Sequence, residues 1–365
     1  MIGHKKFPSR CGGIETVVTE LAPRLTSRGV EVTAYNRGLL KQNAETGSQP
    51  LKNYKGVGVK GSLTVRLGGS DAMLSSFTAT LAACFGGYDI IHYHALGPAA
   101  MLPIARLFRK KTVATVHGLD WQRSKWGGFA TKYLKFGEKM IARHADRIIV
   151  LSEGVQNYFR ETYGRETILI NNGVVPVEGV RPDIIKSKYG LEKDDFVLFL
   201  ARIVPEKGPD LLIDAFSGAG TGKKLVIAGE IPDNWYGEKI KDLIKDRPEI
   251  IAVGFAEGQL LAELYSNCAL YVLPSTVEGM ALTLLEAMSA GARCLVSDIP
   301  ENKAVVGSFG ECFRCGDAGD LSEKLIMCLG KPSEEAEREA QMNYIRENYS
   351  YDAVVEKTIG VYNTL

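Results

Sequence analysis

A chain of 365 residues, 45% of them hydrophobic, is long enough for two or three domains with buried cores. An apolar run of about 18 residues, as a membrane-spanning helix requires, is absent, and so is a signal-peptide core at the start. We therefore expect a cytoplasmic protein. The net charge is +1, but the two halves of the chain differ in sign: residues 1–178 carry an excess of basic residues and the rest an excess of acidic ones. The N-terminal half should face nucleic acid, an anionic membrane or a phosphorylated acceptor, unless the halves simply attract each other.

The first half alternates predicted helices and strands behind a glycine turn. Gly12 and Gly13 precede a helical pattern that ends at Gly29, and Val30–Tyr35 follows with the alternation of a strand. A helix N-terminus offers N–H groups to an anion, although this turn is not the GxGxxG dinucleotide fingerprint. Further strands are predicted at 56–67, 88–94, 111–117, 147–151 and 168–173, with helices at about 72–84, 98–108, 129–144 and 153–161.

The two ends of the chain carry separate predictions. Folds that alternate strands and helices in this way open with a buried strand before the glycine turn, but here only Met1 and Ile2 precede Gly3. We expect Met1–Gly3 to form at most a short stub of strand beside the strands at 30–35 and 89–94. We also expect the natural protein chain to begin several residues earlier. At the other end, the segment 351–363 shows one apolar helical face, predicting a last helix.

Two histidines end predicted strands in the first half. Alternating strands and helices indicate a parallel sheet, in which ligands bind at the carboxyl ends of the strands. His94 and His117 stand at such ends, and His117 is followed by Gly118. We expect a ligand contact for His117, whereas a structural role is the stronger alternative for His94.

Basic residues accompany aromatic ones along the helix at 129–144. The helix carries Lys132, Lys135, Lys139 and Arg143 after the segment Lys125–Phe129, which contains Trp126; Arg106–Lys111 adds a second basic cluster. This composition suits a membrane interface or a phosphorylated lipid. Ordinary solvated helix faces remain the alternative.

The second half begins after a linker at 174–183 and repeats the alternation. A strand at 196–202 ends in Arg202, and Lys207 and Gly208 precede Pro209, a favoured first residue of a helix. Two cations beside a helix N-terminus can hold a diphosphate without a metal. Strands at 224–228 and 250–254 end at Gly229 and Gly254, and helices are predicted at 319–329, 334–347 and 351–363.

Two glutamates, Glu278 and Glu286, lie eight positions apart after the strand at 269–274. Eight helical residues rise about 12 Å, roughly the reach of a nucleotide sugar from its sugar to its ribose. Glu286 stands among apolar residues, where a buried carboxylate must accept hydrogen bonds, and ribose hydroxyls would provide them. A surface glutamate on an amphipathic helix is the alternative.

The pattern Glu-Gly-x-x-Leu-x-x-x-Glu-Ala-x-x-x-Gly from Glu278 to Gly291 resembles the signature of retaining family-4 glycosyltransferases of the GT-B fold. Gly12-Gly13, His117-Gly118 and Arg202 with Lys207 extend the resemblance over the chain, and local strings resemble a bacterial cell-surface polysaccharide subgroup. It implies an α/β fold with two Rossmann-like domains facing each other across a cleft. The expected divisions are 1–178 on the acceptor side, 179–348 for the nucleotide sugar, and a helix at 349–365 crossing back to the first domain.

The resemblance also implies residue roles. Arg202 and Lys207 would bind the donor phosphates, Glu286 the ribose, and Glu278 the transferred sugar, with His117 near that sugar. The remaining donor contacts would come from backbone-exposing or flanking positions: Gly12, Gly13, Gly229, Gly254, Gly279 and Met280. The short start and Cys11, where a polar residue is expected, depart from the family pattern.

The implied reaction moves a sugar with retention from a nucleotide-diphosphate sugar to a lipid-linked or other saccharide acceptor, and involves no nucleic acid. No Asp-x-Asp pair ends a strand, and Cys312 and Cys315 lack a second pair for zinc, so no metal or cofactor is expected. The sequence offers no convincing carboxylate nucleophile, and the resemblance implies that the donor phosphate deprotonates the acceptor. A nucleotide-sugar epimerase and a non-catalytic scaffold subunit are the alternatives. Peripheral attachment at the inner membrane face is expected.

Overall fold

The computed structural model describes residues 1–39, 50–64, 70–122, 127–332 and 334–365. These residues form two compact units, one of Met1–Gly173 with Tyr351–Leu365 and the other of Val174–Ser350. Both units contain mostly parallel sheets flanked by helices, so the predicted α/β class is confirmed. None of the described helices combines the length and the apolar character that crossing a membrane requires.

The strands of the first unit are β1 Thr33–Arg37, β2 Asn53–Tyr54, β3 Val57–Ser62, β4 Ile90–His94, β5 Lys111–Val116, β6 Arg147–Val150 and β7 Ile168–Leu169. Its helices before the linker are α1 Gly13–Ser27, α2 Ser70–Cys84, α3 Leu96–Ala99, α4 Leu102–Leu107, α5 Gly128–His144 and α6 Glu153–Tyr163.

The second unit contains β8 Phe196–Leu200, β9 Lys224–Ala228, β10 Ile250–Gly254, β11 Leu270–Leu273, β12 Cys294–Ser297 and β13 Glu311–Phe313. Its helices are α7 Ile184–Tyr189, α8 Pro209–Ala219, α9 Trp235–Ile244, α10 Gly258–Asn267, α11 Leu282–Ser289, α12 Pro300–Val306, α13 Ala318–Gly330 and α14 Glu335–Asn348. The last helix, α15 Tyr351–Asn363, belongs to the first unit.

The sheet of the first unit consists of two parts that Ile2 joins. One part has the strand order β1-β3-β2 and the other β4-β5-β6-β7. Ile2 forms parallel bridges to Tyr35 in β1 and to Tyr93 in β4. Its N–H donates to His92 O at 2.9 Å, and its carbonyl accepts from His94 N at 2.8 Å. The predicted strand stub between these two strands is therefore confirmed.

Helix α15 packs against both parts of this sheet. Val355 is buried in the apolar cluster of α1, β1 and β3, and Val361 is buried with Val113 of β5 and Ile149 of β6. Arg28 near the end of α1 forms ion pairs with Asp352 and Glu356 of α15. Apolar residues at helical spacing thus give α15 its buried face.

The second unit has one six-stranded parallel sheet in the order β10-β9-β8-β11-β12-β13. The central strands β8 and β11 are almost fully apolar and buried, as strands covered by helices on both faces must be. Their carboxyl ends lie next to each other in the sheet, since Leu270 and Tyr271 pair with Val197 and Leu198. The loops that follow β8 and β11 therefore begin side by side.

Several predicted bounds differ from the structure. The predicted helix at 98–108 is broken into α3 and α4, because Pro103 at the start of α4 has no N–H to continue a helix from α3. The predicted strand at 56–67 is only β3, and residues 65–67 of that prediction lie outside the described residues. Strand β8 ends at Leu200 rather than Arg202. Sequence patterns did not indicate α9, α10, α12 or β13.

Candidate functional site

A tight loop after β8 positions Lys207. Residues Pro205–Lys207 form one turn of 3-10 helix, and Gly208 has φ +65°, a left-handed conformation that favours glycine. A β-carbon on Gly208 would lie 2.7 Å from the carbonyl oxygen of Pro274 at the end of β11. The loop is therefore pressed against the segment that follows β11, and α8 begins at Pro209, as predicted.

Lys207 and Glu278 meet in this contact. The Lys207 Nζ donates to Glu278 Oε1, and the two side chains are only 13% and 7% exposed. The backbone supports the pair, because Thr276 N donates to Glu206 O at 2.9 Å. A pair with so little water is costly to break, since removing either partner leaves a nearly buried charge. The two residues that the sequence singled out separately as ligand contacts thus form an ion pair with each other in the protein by itself.

Glu286 lies in the middle of α11 and is 9% exposed, so the surface-glutamate alternative is wrong. Tyr265 of α10 donates its hydroxyl to Glu286 Oε2 at 3.0 Å. Burial, and then the negative charge of Glu286, raise the pKa of Tyr265 well above its usual value. Tyr265 therefore remains a hydrogen-bond donor and supplies part of what the sequence assigned to ribose. Sequence reasoning missed Tyr265, although a buried tyrosine hydroxyl generally needs a partner.

Glycines line the carboxyl edge of the sheet beside Arg202. A β-carbon on Gly229 would lie 2.2 Å from the carbonyl oxygen of Ala201, so only glycine fits there. The Gly229 N–H donates to the Gly254 carbonyl at 2.8 Å, which brings the ends of β9 and β10 together. Arg202 itself is exposed. The exposed guanidinium and this edge lie in the same unit as Lys207, and Gly279 and Met280 follow Glu278 directly.

In the first unit, four of the five histidines of the chain form a cluster (His4, His92, His94 and His117). His117 follows β5, is 8% exposed, and its Nε2 lies 3.1 Å from Nδ1 of His94. Burial, followed by nearby positive charge, lowers the pKa of His92 and of His94 well below the usual value. The same causes lower the pKa of His4 to about 3. These three rings are therefore neutral at physiological pH.

The segment after His117 is anchored by a buried carboxylate that the sequence analysis missed. Glu138 of α5 accepts hydrogen bonds from Trp121 Nε1 at 2.7 Å, Tyr158 Oη at 2.8 Å and Tyr163 Oη at 2.6 Å. Glu138 is 1% exposed. Three donors compensate its desolvation, so the residue fixes the position of Trp121 relative to α5.

Gly12 and Gly13 lie at the start of α1, as predicted. Gly12 is the N-cap residue and Gly13 is exposed. The Glu15 carboxylate accepts from Lys5 N at 2.7 Å, and a β-carbon on Gly12 would come within 2.4 Å of it. An anion at this helix end would meet Glu15, so Gly13 offers the more open approach.

Exposed apolar and basic residues of α4, of α5 and of the positions just after α2 and α4 are together named the aromatic–basic surface, and the ring centroids of Phe85 and Phe108 lie 5.0 Å apart. Its exposed apolar members are Phe85, Leu107, Phe108, Phe129 and Phe136, with exposures of 76%, 80%, 38%, 76% and 48%. Lys132, Lys135, Lys139 and Arg143 are exposed on α5, whereas Arg106 is paired with Asp146. Of the second predicted cluster, Arg109 and Lys111 are exposed, and Lys110 donates to the carbonyl of Tyr88. Two further predicted members, Lys125 and Trp126, lie outside the described residues.

Comparisons with known proteins agree with this arrangement. The family model for Glycosyltransferase Family 4 matches residues 11–178, and the model for glycosyl transferases group 1 matches residues 181–348. D-inositol 3-phosphate glycosyltransferase from Gordonia bronchialis is 26% identical, over 96% of this chain and 84% of that protein. UDP-Gal:alpha-D-GlcNAc-diphosphoundecaprenol alpha-1,3-galactosyltransferase from Escherichia coli is 29% identical over 60% of each chain.

The fold agrees as well. Sucrose-phosphate synthase from Thermosynechococcus elongatus superposes with a TM-score of 0.83 at 19% identity, covering 97% of this chain and 93% of that one. At such low identity the likeness concerns the fold alone. Taken with the two family models, which between them span nearly the whole sequence, it means that this chain belongs to the glycosyltransferases of the GT-B fold.

Proposed function

We propose that this protein transfers a sugar, with retention of anomeric configuration, from a nucleotide-diphosphate sugar to a lipid-linked saccharide acceptor in cell-surface polysaccharide synthesis. The observation that carries the donor half is the nearly buried Lys207–Glu278 ion pair at the sheet edge of the second unit. A cation and a carboxylate held this close, next to a helix N-terminus, match the opposite demands of a phosphate and of sugar hydroxyls.

Donor binding exchanges the partners of this pair. Lys207 and Arg202 take the diphosphate, with the N-terminus of α8 directed at the same charge. Glu278, released from Lys207, accepts hydrogen bonds from the transferred sugar beside Gly279 and Met280. Glu286 shares its carboxylate between Tyr265 and the ribose. Gly229 and Gly254 allow the backbone to approach the nucleotide closely.

The chemical step breaks the bond between the anomeric carbon and the diphosphate oxygen and forms a bond from that carbon to an acceptor oxygen. The acceptor hydroxyl proton passes to the departing phosphate. Arg202 and Lys207 stabilise the charge that develops on the diphosphate, which lowers the barrier. We infer that these cations and the α8 N-terminus suffice without a bound metal, and that His117 of the first unit contacts the transferred sugar, with Gly12 and Gly13 near the diphosphate.

The acceptor half rests on the aromatic–basic surface. Exposed phenylalanines and Leu107 beside lysines suit insertion at the boundary of an anionic membrane. The galactosyltransferase relative is named for an acceptor on diphosphoundecaprenol, a lipid carrier. We infer that the first unit docks on the membrane from the cytoplasmic side to reach such an acceptor.

The test is a donor panel followed by product analysis. Purified protein is screened against nucleotide sugars by thermal shift, and the stabilising donor is then incubated with lipid-linked acceptors. The expected product keeps the anomeric configuration of the donor, as read by NMR. An epimerised nucleotide sugar without transfer would instead establish an epimerase, and a panel in which no nucleotide sugar stabilises the protein would refute a donor site.

A further inference from the structure

The contact between His94 and His117 bears on the position of the His117 ring and on which of its nitrogens carries the proton. Nδ1 of His94 lies 3.1 Å from Nε2 of His117, with the ring planes inclined by 31°. We propose that His94 is a positioning residue that holds His117 in the tautomer with its proton on Nδ1.

His94 is rigid enough for this role. Its ring is fully buried and stacks on His92 at 4.3 Å between ring centroids. His92 is in turn held at both nitrogens, by Tyr362 Oη at 2.7 Å and by Thr115 Oγ1 at 2.7 Å. The His94 N–H donates to Ile2 O at 2.8 Å, so the backbone is held too.

Gly3 closes the other side of His94. A β-carbon on Gly3 would lie 2.1 Å from the His94 carbonyl oxygen, and Gly3 has φ +128°. The next residue, Ala95, has φ +77°, which is unfavourable for alanine. A non-glycine residue in this conformation indicates that the surrounding contacts determine the end of β4.

His94 carries only one ring proton. Burial lowers its pKa well below the usual value, and the neighbouring His92, His117 and the N-terminal amine act in the same direction. A neutral ring has one N–H and one lone pair. The contact with His117 therefore has two possible arrangements, which differ in the ring that donates.

The second nitrogen of His94 decides between them. Nε2 of His94 is buried and has no partner among the described residues. If His117 donated, the single proton of His94 would lie on Nε2 as a buried N–H without an acceptor, a rare and costly state. If His94 donates from Nδ1, Nε2 is a bare lone pair instead. The second arrangement leaves His117 accepting at Nε2 and carrying its own proton on Nδ1.

The catalytic meaning rests on the proposed contact of His117 with the transferred sugar. In the assigned tautomer His117 presents a neutral N–H to a sugar oxygen from Nδ1. A hydrogen bond of this kind orients the sugar without adding a charge to the anomeric centre. Without His94, this hydrogen bond no longer excludes the other tautomer, in which Nδ1 offers a lone pair there.

NMR of the full chain labelled with 15N-histidine reads the tautomer directly, without any substrate. The His117 signals are assigned by their loss in His117→Gln, and His144 outside the cluster is the reference. We expect the Nδ1–H pattern for His117 in the wild type at neutral pH and a change toward Nε2–H in His94→Leu. An Nε2–H pattern in the wild type would overturn the proposal.

Two variants at His94 separate positioning from packing. His94→Asn keeps a donor near the place of Nδ1, whereas His94→Leu fills similar space without one. We expect His94→Leu to lower kcat by about tenfold with little change in donor KM, and His94→Asn to restore most of that loss. Equal kcat losses in two variants of similar melting temperature would count against the assignment. If no sugar is transferred at all, the proposed function fails, and the NMR result still decides the role of His94.

Discussion

Removing the charge of Lys207 tests the donor site and its ion pair together. Lys207→Met keeps an apolar stem against the loop and deletes only the ammonium group. Glu278, which is 7% exposed, is then left without its partner. Breaking such a pair costs about 3 kcal/mol, and a melting temperature changes by about 2–4 °C per kcal/mol in a folding unit of about 150–250 residues, such as Val174–Ser350, so melting of this unit should fall by about 6–12 °C.

The effect on catalysis is a separate quantity. A charge-assisted hydrogen bond to the diphosphate is worth about 1.5–3 kcal/mol, so kcat/KM should fall about 10- to 150-fold. The assay is sugar transfer at temperatures where the variant is fully folded by circular dichroism. Lys241→Met is the matched control, because Lys241 also pairs with a glutamate in this unit but is 49% exposed.

A double variant distinguishes the two effects. Adding Glu278→Leu to Lys207→Met removes the unpaired carboxylate and should restore most of the lost stability. Transfer should remain as low as in the single variant or lower. A Lys207→Met enzyme with wild-type kcat/KM would refute the donor assignment. A double variant no more stable than Lys207→Met would refute the energetic account of the ion pair.

Four further outcomes are expected. Glu286→Gln should weaken donor binding, and Tyr265→Phe should weaken it less; unchanged titrations for both would remove the ribose assignment. Changing the exposed α5 residues Lys132, Lys135 and Lys139 to glutamate should reduce binding to anionic vesicles. Binding of the wild type should weaken as salt is added. Transfer should persist in EDTA, and a loss restored by a divalent ion would show that a metal is needed. The buried neutral histidines His4, His92 and His94 should destabilise the fold as pH falls below about 6.5, because only the unfolded chain then binds protons at these rings. The free energy of unfolding should fall by about 1.4 kcal/mol per histidine and pH unit. Equal urea midpoints at pH 7.5 and 5.5 would contradict this.

The sequence singled out the residues of the candidate site, but it did not indicate which residues they contact. Lys207 and Glu278 lie far apart in sequence, and both were interpreted as ligand contacts, so their mutual ion pair could not be read from spacing. It depends on Gly208 packing against Pro274, a contact between two loops. Periodicity describes single elements and contains no information on such pairs.

The histidine cluster shows the same limit. His94 and His117 were each placed at a strand end, which the structure confirms for the strands β4 and β5. Their hydrogen bond follows from the parallel register, in which His94 lies opposite Thr115, and register is set by tertiary packing. His4 joins the cluster only because Ile2 and Gly3 lie against β4, a consequence of the stub that the sequence did predict.

The bridge that Ile2 forms in the first sheet has a consequence for hydrogen exchange. Among the described residues, Ile2 supplies the parallel bridges between the strands β1 and β4, while α15 buries Val355 in one part and Val361 in the other. Side-chain packing therefore also holds the two parts together, by α15 and by Tyr35 of β1, which is buried in the same apolar cluster as Tyr93 of β4. The amides of Tyr35 and His94, which donate across this junction to Met1 and Ile2, should exchange through a sub-global opening in which α15 detaches. Amides in the interior of β5 and β6 should exchange only when the whole first unit unfolds.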